Sequence, residues 1–140
     1  MNLDLLKAKE VLNGHTIALV KNDVVITSDK RGIMPMVELI NSNTDLTNFS
    51  LADVVVGKAV AMLFVKAHIK EIYAETISQI ALKYLKDKDI KVYYKNIVPY
   101  IINRAKNGMC IMEELVLNVK DEEIAYQKMK AKLEELYGNI

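Results

Sequence analysis

The chain has 140 residues, 51% of them apolar and 26% charged, a balance that excludes both a disordered chain and an integral membrane protein. Nineteen Lys and Arg against eighteen Asp and Glu leave a net charge of +1, too small to drive recruitment to nucleic acid or to an anionic membrane. One cysteine and two histidines exclude a disulfide framework and the zinc sites built wholly from Cys and His. No repeat or Pro/Gly/Ser-rich linker divides residues 1–140, which are read as a single domain. Met1–Asn13 is broken by Asp4, Lys7, Lys9 and Glu10, so no signal-like apolar run opens the chain. The longest apolar run, Val54–Val65, contains Lys58 and is well short of the roughly twenty residues of a membrane span. A soluble, cytoplasmic protein with no membrane partner is expected, and a lone thiol suits a reducing compartment.

Leu3, Leu6 and Val11 recur at near-helical spacing, and Asn13-Gly14 is a fitting helix stop. Two β-rich runs follow, Thr16–Val20 and Asp23–Thr27, close enough to form a hairpin turning at Asn22-Asp23. Pro35 opens a short helix over Met36–Asn41, and Asn41–Asn48 reads as a loop. Ser50 is a good N-cap, and the nearly all-apolar stretch from Leu51 to about Ala67 predicts a helix buried on most sides. Ile69–Ala74 and Ile90–Tyr93 are β-rich and flank an amphipathic helix, Ile77–Lys88. Such a strand–helix–strand unit requires parallel neighbours in one sheet. Tyr94–Asn107 reads as an irregular connection with room for a short strand. Met112–Leu117 is helical, and Asp121 caps a final helix, Glu122–Leu136. The class is α/β, with a mixed sheet of about four or five strands opened by an antiparallel hairpin.

Four blocks in chain order carry a resemblance: Leu51-Ala-Asp-Val-Val-Val-Gly-Lys-Ala, Glu71-Ile-Tyr-Ala-Glu-Thr-Ile-Ser, Val98-Pro-Tyr-Ile-Ile-Asn-Arg and Asn107-Gly-Met-Cys-Ile-Met-Glu. From about Thr16 to Tyr126 the chain resembles a family of small prokaryotic proteins known as a domain of unknown function. That family is assigned to the cytidine-deaminase-like fold. The resemblance implies a three-layer α/β/α architecture. It implies no activity, because function resides in sites rather than in folds.

Zinc deaminases hold their metal with a His or Cys and two Cys, and a Glu two residues after the first ligand shuttles protons. Tyr73-Ala74-Glu75 and Cys110-x-x-Glu113 echo those strings but offer a tyrosine, one thiol and a carboxylate, which is no usual zinc set. In the deaminase fold the two motifs open the helices on either side of one strand. With helices expected over 51–67 and 77–88, those places are Asp53–Lys58 and Glu75–Ser78, and neither holds a His or Cys. No metal site, no cofactor and no zinc-dependent deamination is expected.

Glu75, Thr76 and Ser78 are expected just past the carboxyl end of a strand, where open α/β sheets place ligands. Lys58 is the sole charge in the apolar run. A buried lysine must be paired or have a depressed pKa; otherwise Lys58 snorkels to the surface or forms an ion pair with Glu75 or Asp53. Asn103 and Arg104 sit in a polar loop with Lys106, where a guanidinium would grip a phosphate or carboxylate, though such loops are also ordinary solvated turns. Cys110 stands just ahead of a short helix whose dipole would activate its thiol; the alternative is a small hydrophobe. His15 and His68 read as charge complements to helix ends.

The favoured reading is a metal-free domain binding a small molecule, a nucleotide or nucleoside among the candidates. Lys58, Glu75, Thr76, Ser78, Asn103 and Arg104 would line its cleft. Two other classes stand beside it: an enzyme using Cys110 or Glu75 without zinc, and a homodimeric interaction module that shares the 54–65 helix between subunits.

Overall fold

A computed structural model describes residues 1–140. In chain order the elements are α1 (Leu3–Val11), β1 (Ile17–Lys21), β2 (Val24–Ser28), α2 (Met34–Asn41), β3 (Ser50–Val56), α3 (Lys58–Lys66), β4 (Glu71–Ser78), α4 (Gln79–Leu85), β5 (Lys91–Val98), α5 (Ile111–Val116) and α6 (Glu122–Tyr137). The five strands form one mixed sheet in the order β2-β1-β3-β4-β5. β1 pairs antiparallel with both β2 and β3, whereas β3–β4 and β4–β5 are parallel.

Strand alternation sorts the core into two faces. Ile17 and Leu19 of β1, Leu51 of β3 and Ile72 of β4 point into the main core, which also takes side chains from α2, α3, α4, α5 and α6. Ala18, Val20 and Ala52 point the other way and are closed by Leu5, Ala8 and Leu12 at α1. The architecture is therefore a lone helix, a sheet and a five-helix layer.

The hairpin turns at Asn22-Asp23, with Lys21 paired to Val24 and Asn22 in the left-handed region at φ 53°. Asp121 caps α6 by accepting from the Ile124 amide at 2.8 Å. The strand–helix–strand unit is present, but its strands are longer than the β-rich cores of the sequence indicate: Glu71–Ser78 and Lys91–Val98. The second of these absorbs the start of the stretch read as irregular.

The expected helix over 51–67 is not one element. Ser50–Val56 is β3, Gly57 breaks the chain, and only Lys58–Lys66 is helical. Ser50 is no helix cap; it starts β3, fully buried, and its hydroxyl donates to Asn2 Oδ1 at 3.1 Å. A central strand covered on both faces carries the same unbroken apolar run as a buried helix, so periodicity cannot separate them. The helical half does have the all-round burial its sequence indicates. α3 lies on the sheet and packs against α2, α4, α5 and α6, with Ala59 through Phe64 buried.

Candidate functional site

At the carboxyl end of β3 the chain encloses a cavity of about 370 Å³. Its walls are mostly apolar, with Ile33 and Pro35 at the start of α2, Val60 from α3, and Ile101 and Met112 from the segment that returns across the opening. Its charged groups are Asp53, Glu113 and Arg31. Cys110 stands beside them at the N-cap position of α5.

Glu113 is the best-anchored of these groups. It lies in the first turn of α5, but its carboxylate serves α3, one oxygen accepting from the Lys58 amide at 2.7 Å and the other from the Ala59 amide at 2.9 Å. The two orphan amides of a helix start are thus satisfied by a side chain 55 residues away in sequence. The contact explains Gly57: a Cβ there would lie 2.4 Å from Glu113 Oε1. Burial pushes the Glu113 carboxyl up, while the two amides and the Lys58 charge pull it down.

Lys58 closes the same joint from the other side. Its Nζ donates to the carbonyls of Val116, Leu117 and Val119 at 3.0, 2.9 and 2.9 Å, capping the carboxyl end of α5. α3 and α5 are therefore tied together by a carboxylate on one helix start and an ammonium on the other helix end, each placed where the helix dipole favours it. Burial pushes the Lys58 ammonium down, against the pull of Glu113. Neither Glu75 nor Asp53 forms the ion pair considered for it.

Asp53 is different. It is only 7% exposed, points toward the helical layer, and neither a cation nor another side chain partners its carboxyl. Burial pushes it up to about 8, against the backbone amides of Val54 and Val55. A protonated carboxyl of this kind both donates and accepts a hydrogen bond near neutral pH.

The residues singled out in the sequence divide. Cys110 lines the cavity, and Lys58 does not, though its amide holds Glu113, which does. Glu75 is exposed within β4, two residues on from Tyr73, which packs with the α1 face, so it stands on the far side of the sheet. The two halves of the deaminase-like string are thus separated by the sheet. Thr76 is also inside β4 rather than beyond its end. Ser78 is fully buried and caps α4, accepting from the Ala81 amide at 3.0 Å. Asn103 bonds Asn107 at 2.8 Å in a turn of its own, with Arg104 exposed beside it. His15 pairs with Asp29.

No group of three or more His, Cys, Asp or Glu side chains is arranged to hold a metal ion. No helix is long and apolar enough to cross a membrane. Asp53 and Glu113 were not singled out as ligand-binding residues. A charge within an apolar β-branched run signals the first, but no local signal marks the second, whose partner is distant in sequence.

A family model described as a domain of unknown function (DUF1893) matches residues 7–133. The chain belongs to the DUF1893 family. Its fold is similar to the crystal structure of a DUF1893 family protein (TM1506) from Thermotoga maritima, with a TM-score of 0.85 and 26% sequence identity over 94% of this chain and 92% of that one. No curated protein matches the chain. Membership of DUF1893 accounts for the fold, and the chemistry must come from the cavity itself.

Proposed function

We propose that this DUF1893 chain is a metal-free small-molecule-binding domain on a cytidine-deaminase-like α/β/α fold, with its ligand in the Asp53 cavity. The observation that carries this is a buried carboxyl with no side-chain partner lining a mostly apolar cavity, the pairing of shape and convergent polarity that marks ligand sites. The deaminase-like reading is supported by position: the cavity lies where α2 and α3, the helices on either side of β3, begin. A volume of about 370 Å³ suits a single ring system. A nucleoside or free base suits it better than a nucleotide, because a phosphate would meet two carboxyls and a single arginine.

Thermal melts against a panel of nucleosides, bases and small metabolites test the proposal. At least one compound is expected to raise Tm, by about 2.7 kcal/mol of added stability at a hundredfold excess over its Kd. Ile101→Trp, which fills the cavity from its covering loop, is expected to abolish the shift. A panel without any shift overturns the reading.

Cys110 favours a second reading, an enzyme that uses its thiol, because the sulfur shares the cavity with Asp53 and Glu113. An activated thiol would react with iodoacetamide well below pH 8 and be protected by the cavity-filling variant; ordinary pH dependence rules this reading out. Glu75 offers no comparable support, standing across the sheet from that cavity.

A further inference from the structure

We infer that the ligand of the cavity carries a positively charged nitrogen, an amine, amidine or guanidine, seated against Asp53. This rests on the small-molecule reading above and narrows it. Asp53 is more than nine-tenths buried, lines the cavity, and has no cationic partner anywhere in the fold. The charged groups around it add to the deficit of positive charge. Glu113 approaches from α5 with both oxygens already held by amides, and Cys110 precedes it. Lys58 of α3 sends its ammonium away, to three carbonyls at the carboxyl end of α5. Thr16, just ahead of β1, commits its hydroxyl to the Ser28 and Lys30 carbonyls. Only Arg31, exposed ahead of α2, brings positive charge to the lining.

A cation entering this cavity supplies the missing partner, and apolar walls strengthen the attraction by excluding water. An anion meets two carboxyls, and a neutral ligand can hydrogen-bond the protonated carboxyl but forms no ion pair with it. Because the buried acid holds its proton until about pH 8, a cation that binds beside it expels that proton.

Benzylamine, benzyl alcohol and benzoate share one ring and differ in charge, so they separate the alternatives. In nuclear magnetic resonance titrations of the full chain at pH 7, benzylamine is expected to bind at least about tenfold more tightly than benzyl alcohol, the scale of one charge-assisted hydrogen bond. Benzoate is expected not to bind. Amine affinity should rise between pH 6 and 8 by up to about tenfold per unit, as proton release requires. Asp53→Asn should remove both the amine preference and this pH dependence, and the wild-type pH profile tests the same point without a substitution. If the alcohol or benzoate binds as tightly as the amine, or if the amine ignores both pH and Asp53→Asn, the cation assignment falls while the cavity remains a ligand site. If no probe shifts any cavity resonance, both fall.

Discussion

Glu113→Ala is expected to destabilise the fold by about 2–6 kcal/mol, since it strands two buried backbone donors that cost about 1–3 kcal/mol each. The donors are the amides of Lys58 and Ala59, which have this carboxylate as their partner at 2.7 and 2.9 Å. The loss extends further, because the buried Lys58 ammonium would then lose its neighbouring counter-charge. Gly57→Ala attacks the same joint from the opposite side. Its new Cβ would stand 2.4 Å from one carboxylate oxygen and 2.7 Å from the other, so Glu113 must leave its amides or the backbone must give way. Overpacking of this kind costs about 1–3 kcal/mol. The decisive measurement is the double variant in urea unfolding. With residue 113 cut back to alanine, the glycine has nothing to accommodate, so the Gly57→Ala penalty should largely vanish. Additive penalties would show that Gly57 serves the backbone rather than the carboxylate.

That joint also shows what a linear sequence conceals. The hairpin, the parallel strand–helix–strand unit and the caps at Asp121 and Asn13-Gly14 depend on neighbours a few residues apart, and local chemistry specifies them. β3 reads as part of a helix in the sequence because burial on both faces removes the alternation that identifies a strand. The remaining clues were three consecutive valines ahead of a glycine, Val54-Val55-Val56-Gly57. Reading β3 as a strand moves the proposed site. With a helix in place of β3, the ligand crevice falls after Ala74, among Glu75, Thr76 and Ser78. With a strand there, it falls after Val56, among Asp53, Gly57 and residues returning from 101–113. Lys58 was legible as an anomaly, a charge within an apolar run, but its partners are the carbonyls of a helix end some 60 residues on. Backbone acceptors carry no sequence signature, so only the fold reveals them.

The stability of this protein is expected to fall as pH rises from about 4 to about 8, with Asp53 as the chief cause. In the unfolded chain an aspartate ionises near 3.8, whereas in the fold Asp53 keeps its proton until about 8. Between those values the folded protein holds one proton more than the unfolded chain, so raising pH favours unfolding, by at most about 1.4 kcal/mol per unit. Below the window both states are protonated, and above it both are ionised; the dependence is flat at either end. Glu113, also pushed up by burial, adds to the slope. Exposed carboxylates act in the opposite sense at the acid end: Glu123 is held down by Lys66 and Asp45 by Thr47, and what they contribute is lost as pH falls through their folded values. Maximum stability is therefore expected well on the acid side of neutrality, at about pH 4. Asp53→Asn should match the parent near pH 4 and exceed it by a few kcal/mol above pH 8, leaving the residual slope of Glu113. Urea midpoints for both proteins across pH 4–9 check this, and parallel profiles would show that Asp53 is not the titrating group. An asparagine would serve the fold at least as well at this position. The acid is thus a cost to stability in an otherwise close-packed core, and such costs are found where a side chain is held for binding or chemistry.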